Sequence, residues 1–280
     1  MSEHISVVDT DNNCGGGAGT EYLIEFETWG EGSPAIVLLH DGLGSVRQWR
    51  DTPKAIAERC GVAVLAYNRP GHGRSRPEPT GAWPTRWLHD QAQLLGLLIR
   101  EWELQNPLLV GHSDGGSIAL LFASGEGVGA PLPNQRCRGV VALAAHSFVE
   151  PICGEAITTL RAEPEKMCAA LTPFHRHPEA VFNAWSEVWL SDAFQQWDIR
   201  QQLSGIKAPT WVVQGDRDEY GSEAQLWTTS EAIGANSTPI LLSGRGHLLH
   251  HEDPEVVIAV VADAMNRTGT TAKAIDLPPR

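Results

Sequence analysis

At 280 residues, 42% hydrophobic and 20% charged, the chain has the make-up of a folded protein of one large or two small domains, not of a disordered one. Its 34 Asp and Glu outweigh 21 Lys and Arg, a formal net charge of −13 that repels polyphosphate and offers no counterion-release term, so no nucleic-acid partner is expected. The five Cys (Cys14, Cys60, Cys137, Cys153 and Cys168) are scattered without a C-x-x-C pair, which points to free thiols in a reducing compartment and to neither a disulfide framework nor a zinc knuckle.

Residues 1–20 carry acidic groups and the run Gly15-Gly16-Gly17 where a signal peptide needs a basic start and an apolar stretch. They are expected as a flexible N-terminal segment. With no apolar run of about 18 residues anywhere, a cytoplasmic chain without a membrane partner is expected. Short apolar runs then alternate with longer helical patterns. Strands are expected at Tyr22–Thr28, Ala35–Leu39, Val62–Tyr67, Pro107–Val110, Arg138–Ala144, Pro209–Gln214 and Thr238–Leu242, and helices at Trp49–Glu58, Thr85–Trp102, Gly116–Ser124, Ser222–Ile233 and Pro254–Met265. This alternation predicts an α/β fold, a mostly parallel central sheet flanked by helices, with the chemistry in loops at the carboxyl ends of the strands. One segment interrupts it: residues 147–204 show helical patches rich in Phe and Trp and no convincing buried strand, which predicts a helical insertion between core segments 21–146 and 205–266. The tail from residue 267 is expected to be flexible.

After Pro107-Leu108-Leu109-Val110 comes Gly111-His112-Ser113-Asp114-Gly115-Gly116, followed by the apolar run Ile118 to Ala123. A G-x-S-x-G between a strand and a helix is a nucleophile elbow, in which the glycines permit a sharp turn that lifts the serine hydroxyl out of the sheet. Serine needs a base, and the base an orienting acid. The strand ending at Gln214 runs into Gly215-Asp216-Arg217-Asp218-Glu219, and Asp218 is read as the acid. The strand ending at Leu242 runs into Ser243-Gly244-Arg245-Gly246-His247, and His247 is read as the base. The order Ser, Asp, His separates this arrangement from the chymotrypsin and subtilisin ones.

An acyl-transfer serine also needs two backbone N–H donors for the developing oxyanion. The amide of Asp114, after the nucleophile, is one. The loop His40-Asp41-Gly42-Leu43-Gly44-Ser45 offers the other, at Gly42 with Leu43 as the alternative. Neither a G-x-x-x-x-G-K-[ST] nor a G-x-G-x-x-G is present, so no nucleotide cofactor is expected. A metal site is not expected either, because His247, His250 and His251 have no further ligand cluster beside them.

On His40-Asp41-Gly42, Asn68-Arg69-Pro70-Gly71-His72-Gly73-Arg74-Ser75, the elbow, Gly215-Asp216-Arg217-Asp218 and Gly246-His247 with Glu252-Asp253-Pro254-Glu255, the chain resembles the α/β-hydrolase superfamily, in its single-cap serine esterase and C-C hydrolase branch. The resemblance spans about residues 22 to 266. It implies Ser113, Asp218 and His247 as nucleophile, acid and base, Gly42 and Asp114 as the oxyanion hole, residues 147–204 as a helical cap, and no cofactor. Leu43, Phe148, Trp185 and Trp189 are the expected substrate contacts. Two positions depart from the family pattern: Asp41 stands where Gly is usual, and Asp114 puts a carboxylate beside the nucleophile, either to select a charged substrate or to brace a turn. The expected reaction is hydrolysis of a small or medium, largely apolar ester. A lactone, a thioester or the C–C bond of a ring-cleavage product are alternative substrates, and a non-catalytic ligand-binding homologue is the alternative from another class.

Overall fold

The computed structural model describes residues 2–9, 19–125 and 137–269. Its strands are β1 (Glu3–Asp9), β2 (Thr20–Trp29), β3 (Ile36–Leu39), β4 (Val64–Tyr67), β5 (Leu108–His112), β6 (Gly139–Leu143), β7 (Thr210–Gly215) and β8 (Ser237–Leu242). The helices are α1 (Thr52–Cys60), α2 (Trp87–Glu101), α3 (Asp114–Ser124), α4 (Pro151–Arg161), α5 (Pro164–Leu171), α6 (Pro178–Leu190), α7 (Arg200–Leu203), α8 (Glu223–Ile233), α9 (Leu249–Glu252) and α10 (Pro254–Thr268). The strands form one 8-stranded sheet in the order β1-β2-β4-β3-β5-β6-β7-β8. β1 and β2 are antiparallel to their neighbours, and the strands from β4 to β8 pair in parallel.

The central strands read as unbroken apolar runs because both faces of the sheet are covered. In β3, Val37 and Leu39 pack into one apolar cluster with α2, α3 and α8, while Ile36 and Leu38 pack into a second with α1 and α10. β5 splits the same way, with Leu109 on the first face and Leu108 and Val110 on the second. The parallel strands β3 to β8 all point their carboxyl ends, and the loops that follow, at the same rim.

The first 20 residues differ from expectation. Glu3–Asp9 is not a loose end but a strand, paired antiparallel with β2 from Glu3 opposite Phe26 to Asp9 opposite Thr20. Its hydrophobic signal is faint because it is an edge strand, where Val7 is buried but Glu3, His4, Ser6 and Val8 are exposed. Residues 10–18, including Cys14, lie outside the described residues, as does the expected tail beyond 269. α10 runs on to Thr268, past the Met265 expected from the sequence. Residues 147–204 hold α4 to α7 and no strand, apart from an isolated bridge between Phe148 and Asp198. Among the described residues no helix is long and apolar enough to cross a membrane, and Cys60, Cys137, Cys153 and Cys168 are free thiols.

Candidate active site

Ser113 sits between β5 and α3 with φ 53° and ψ −120°, a conformation an L-residue adopts only when its surroundings force it. The flanking glycines are what permit the turn: a Cβ on Gly111 would lie 2.2 Å from the carbonyl oxygen of Gly115, and one on Gly115 would lie 2.2 Å from that of Leu39. The elbow expected from the sequence is thus present, with its hydroxyl-bearing residue at the carboxyl rim of the sheet.

His247 and Asp218 meet there from the loops after β8 and β7. The Nδ1–H of His247 donates to the carboxylate of Asp218, at 2.9 Å from Oδ1 and 2.8 Å from Oδ2. Asp218 is itself fully engaged: Oδ1 accepts from the backbone N–H of Tyr220 at 2.7 Å and of Gly221 at 3.2 Å, and Oδ2 from Gln214 Nε2 at 2.7 Å. Burial alone would lower the His247 pKa, but the Asp218 charge and hydrogen bond outweigh it and raise the pKa above 6.5, with Asp41 and Glu219 acting in the same sense. Burial likewise raises Asp218, and His247 overrides it so that the carboxyl stays ionised. The neighbouring acid Asp216 points elsewhere, accepting from Ser243 Oγ at 3.0 Å and from the Gly244 amide at 2.6 Å.

The loop after β3 has its carbonyls pinned from outside the site. Arg69, almost wholly buried, donates through Nη1 to the carbonyl of His40 and through Nη2 to that of Asp41, the latter at 2.6 Å. His72 Nε2 lies 2.9 Å from the carbonyl oxygen of Gly42, and His175 Nε2 lies 2.9 Å from that of Leu43. Carbonyls drawn outward turn the intervening amides inward. The amide of Leu43 is already taken, donating to Asp41 Oδ1 at 3.0 Å. The other carboxylate oxygen of Asp41 lies 3.5 Å from His112 Nδ1, and the His112 Nε2 is 2.8 Å from the carbonyl of His247. Asp41 therefore braces its own turn and faces the histidine that carries the His247 backbone.

Ser113, Asp114, Gly42, Leu43 and His247 line one cavity of about 350 Å³, closed on its far side by Leu160, Met167, Leu171, Phe174, Trp185 and Trp189 of the helical insertion. No Lys or Arg lines it. Of the expected substrate contacts, Leu43, Trp185 and Trp189 are there. Phe148 is not: its ring lies under the Arg200 guanidinium at 4.5 Å, and it is held in the bridge to Asp198 at the base of the insertion. Cys153 and Met167, on helices of the insertion, and Glu219, in the loop after β7, also line it, placed there by packing and not by any motif. Among the described residues no group of His, Cys, Asp or Glu is placed to hold a metal ion.

The Asp114 side chain is buried, and burial, opposed by Arg69 and aided by Asp41, raises its pKa to about 7. His40, His72 and His250 go the other way: burial comes first, joined by Arg69 for His40 and His72 and by His112 for His250, and holds all three well below 6.5. They are neutral in the folded chain. An unfolded histidine takes up a proton as pH falls through about 6.5, so the stability from neutral burial is full above that value and is lost below it, at about 1.4 kcal/mol per pH unit for each group. Asp114 binds its proton in the folded state first, and so gains stability over the same range. Burial shifts His146, His175 and His251 the same way, and together these rings outnumber Asp114 and His247, which act in the opposite sense, so stability is expected to fall as pH drops from about 6 to 5. Urea unfolding across that range measures it, and a flat profile would contradict neutral burial of these rings.

A family model described as the alpha/beta hydrolase family matches residues 36–260, a span that takes in every strand from β3 to β8 and all the site residues above. The chain belongs to the alpha/beta hydrolase family. Among characterised relatives of this hydrolase, a non-heme chloroperoxidase of Kitasatospora aureofaciens is 26% identical over 212 residues, 75% of this chain and 66% of that protein. A 2-succinyl-6-hydroxy-2,4-cyclohexadiene-1-carboxylate synthase of Salmonella arizonae is 23% identical over 254 residues, 84% of this chain and 94% of the synthase. Among solved structures, a bromoperoxidase from Bacillus anthracis superposes with a TM-score of 0.68 at 21% identity, covering 94% of this chain and 100% of that one. The last of these speaks for the fold alone.

Proposed function

We propose that this hydrolase cleaves small or medium-sized, largely apolar esters through an acyl-enzyme on Ser113. The observation that carries the reading is the His247 Nδ1–H bond to Asp218, because it fixes the imidazole tautomer and leaves Nε2 as a proton acceptor in the cavity that Ser113 also lines. In this reading Nε2 takes the proton from Ser113 Oγ as the oxygen attacks the ester carbonyl. The amides of Gly42 and Asp114 receive the oxyanion; Leu43 is the weaker candidate because its amide already serves Asp41. His247 then gives the proton to the leaving alcohol, takes one from water, and returns it to Ser113 Oγ as the acid departs. The imidazolium formed midway is stabilised by the ionised Asp218.

Residues 147–204 act as the cap that covers the acyl group and keeps bulk water from it. A lining without Lys or Arg favours a neutral substrate over the carboxylate-bearing chemistry named for the synthase relative. The test is covalent labelling with a fluorophosphonate probe, which requires an activated hydroxyl. The expected result is stoichiometric modification mapped to Ser113 and its loss in His247→Ala; an unlabelled wild-type protein overturns the assignment.

A further inference from the structure

Beside the reacting groups lies a contact that the mechanism does not use. The carboxylate of Asp114, immediately after Ser113, accepts a hydrogen bond from the indole Nε1 of Trp185, on α6 of the insertion, at 3.2 Å between Oδ2 and Nε1. Both side chains are buried. The same indole rests against the loop after β3, so closely that a Cβ on Gly42 would lie 2.1 Å from Trp185 Nε1 and 2.4 Å from Asp114 Oδ2. Elbow, oxyanion loop and insertion therefore converge on one indole ring, and that ring is part of the cavity wall.

A Trp on a helix that reaches down from an insertion has rotamers to choose from, and an acceptor for its N–H favours one of them when it is buried. Here the acceptor is a carboxylate held on the rigid start of α3, so the ring is fixed over Gly42 and not left to swing. We infer that Asp114 is a specificity-determining residue that works through Trp185, pinning the indole as the end wall of the acyl pocket and restricting the enzyme to short acyl groups. Asp114 is then a positioning residue by its side chain, separate from the part its amide plays. Of the two roles its sequence position suggests, selecting a charged substrate or bracing a turn, neither is what the contact shows: Asp114 Oδ2 holds the indole of the insertion. The inference rests on the serine-esterase reading above.

The experiment is a chain-length series of nitrophenyl esters, acetate to octanoate, on wild type, Asp114→Asn, Asp114→Ala, Trp185→Phe and Trp185→Ala. Asp114→Asn keeps an oxygen acceptor and should keep the wild-type preference for short chains. Asp114→Ala removes the acceptor and Trp185→Phe the donor, and each should raise the octanoate-to-acetate ratio of kcat/KM by about tenfold, the scale of discrimination an apolar pocket provides. Trp185→Ala, which deletes the wall, should raise it at least as far. Affinities of the same esters for these variants in a Ser113→Ala background give the comparison without turnover. An unchanged ratio in Asp114→Ala and Trp185→Phe, with all esters slowed alike, overturns the inference, as does an Asp114→Asn that behaves like the alanine variant. Ester binding with an altered chain-length ratio but no hydrolysis by wild type would instead sink the serine-esterase reading and leave the wall in place.

Discussion

Ser113→Ala should reduce ester hydrolysis by a factor on the order of 10⁵ while leaving the fold intact. The size of the loss follows from the proposed covalent role: in that reading, without Oγ there is no acyl-enzyme, and what remains is the modest help that oriented amides give to direct attack by water. The fold should survive because the residue contributes little packing. Ser113 is 8% exposed, at the cavity, and the turn it occupies is set by the backbone amide of Ser113, which donates to the carbonyl of Leu143 at 2.8 Å, and by its glycine neighbours. Steady-state kinetics on a short nitrophenyl ester, alongside a thermal melt, separates the two effects. Retention of more than about a tenth of the wild-type kcat would exclude Ser113 as the nucleophile.

The second large effect is expected at Asp218. Asp218→Asn should lower kcat by about 10⁴-fold, through the tautomer of His247. Each oxygen of Asp218 faces N–H donors: Oδ1 those of Tyr220, Gly221 and His247, Oδ2 those of Gln214 and His247. An Asn amide placed on either side sets a donor against a donor. Relief comes if the imidazole moves its proton to Nε2, the atom that accepts from Ser113 in the proposed mechanism. The misplaced amide should also cost about 1 to 3 kcal/mol of stability, the penalty for a buried unsatisfied polar group. Asp216→Asn, by contrast, touches only the turn after β8 through Ser243 and Gly244 and should leave kcat within about threefold. Comparison of the two variants under identical conditions decides between the acids, and a more damaging Asp216→Asn would move the role of acid to that residue.

Much of this site is legible in the residues themselves, and what is not has a physical reason. Ser113, Asp218 and His247 each follow a strongly apolar strand run, so their place at one rim follows from strand direction once the alternation is read. The choice of Asp218 over Asp216 is harder to read, because two carboxylates two residues apart differ only in which way the turn points them. β1 escapes notice because an edge strand buries one face, and only Ile5 and Val7 of its apolar residues pack against the core. Phe148 looks like a pocket residue by composition, and only the packing of Arg200 on its ring shows otherwise. His72, His175 and Arg69, which pin the loop after β3, come from distant segments, and nothing in local spacing connects them with Gly42 or Leu43.

The position of β8 has a consequence for how activity is lost. It is the last strand of the sheet, paired to β7 alone, and its side chains alternate between half-buried and exposed where β5, β6 and β7 are wholly buried. His247 hangs on the loop that leaves it. Peripheral elements with few buried contacts open at lower free energy than the whole molecule. Under mild denaturant His247 can thus leave its place beside Asp218, whose own loop is bonded to β8 and the loop after it through the Asp216 and Arg217 amides, while the central strands and the turn at Ser113 stay folded. Inactivation then runs ahead of the loss of secondary structure, and on dilution the enzyme recovers at the speed of redocking one margin of the sheet, not at that of folding the entire chain.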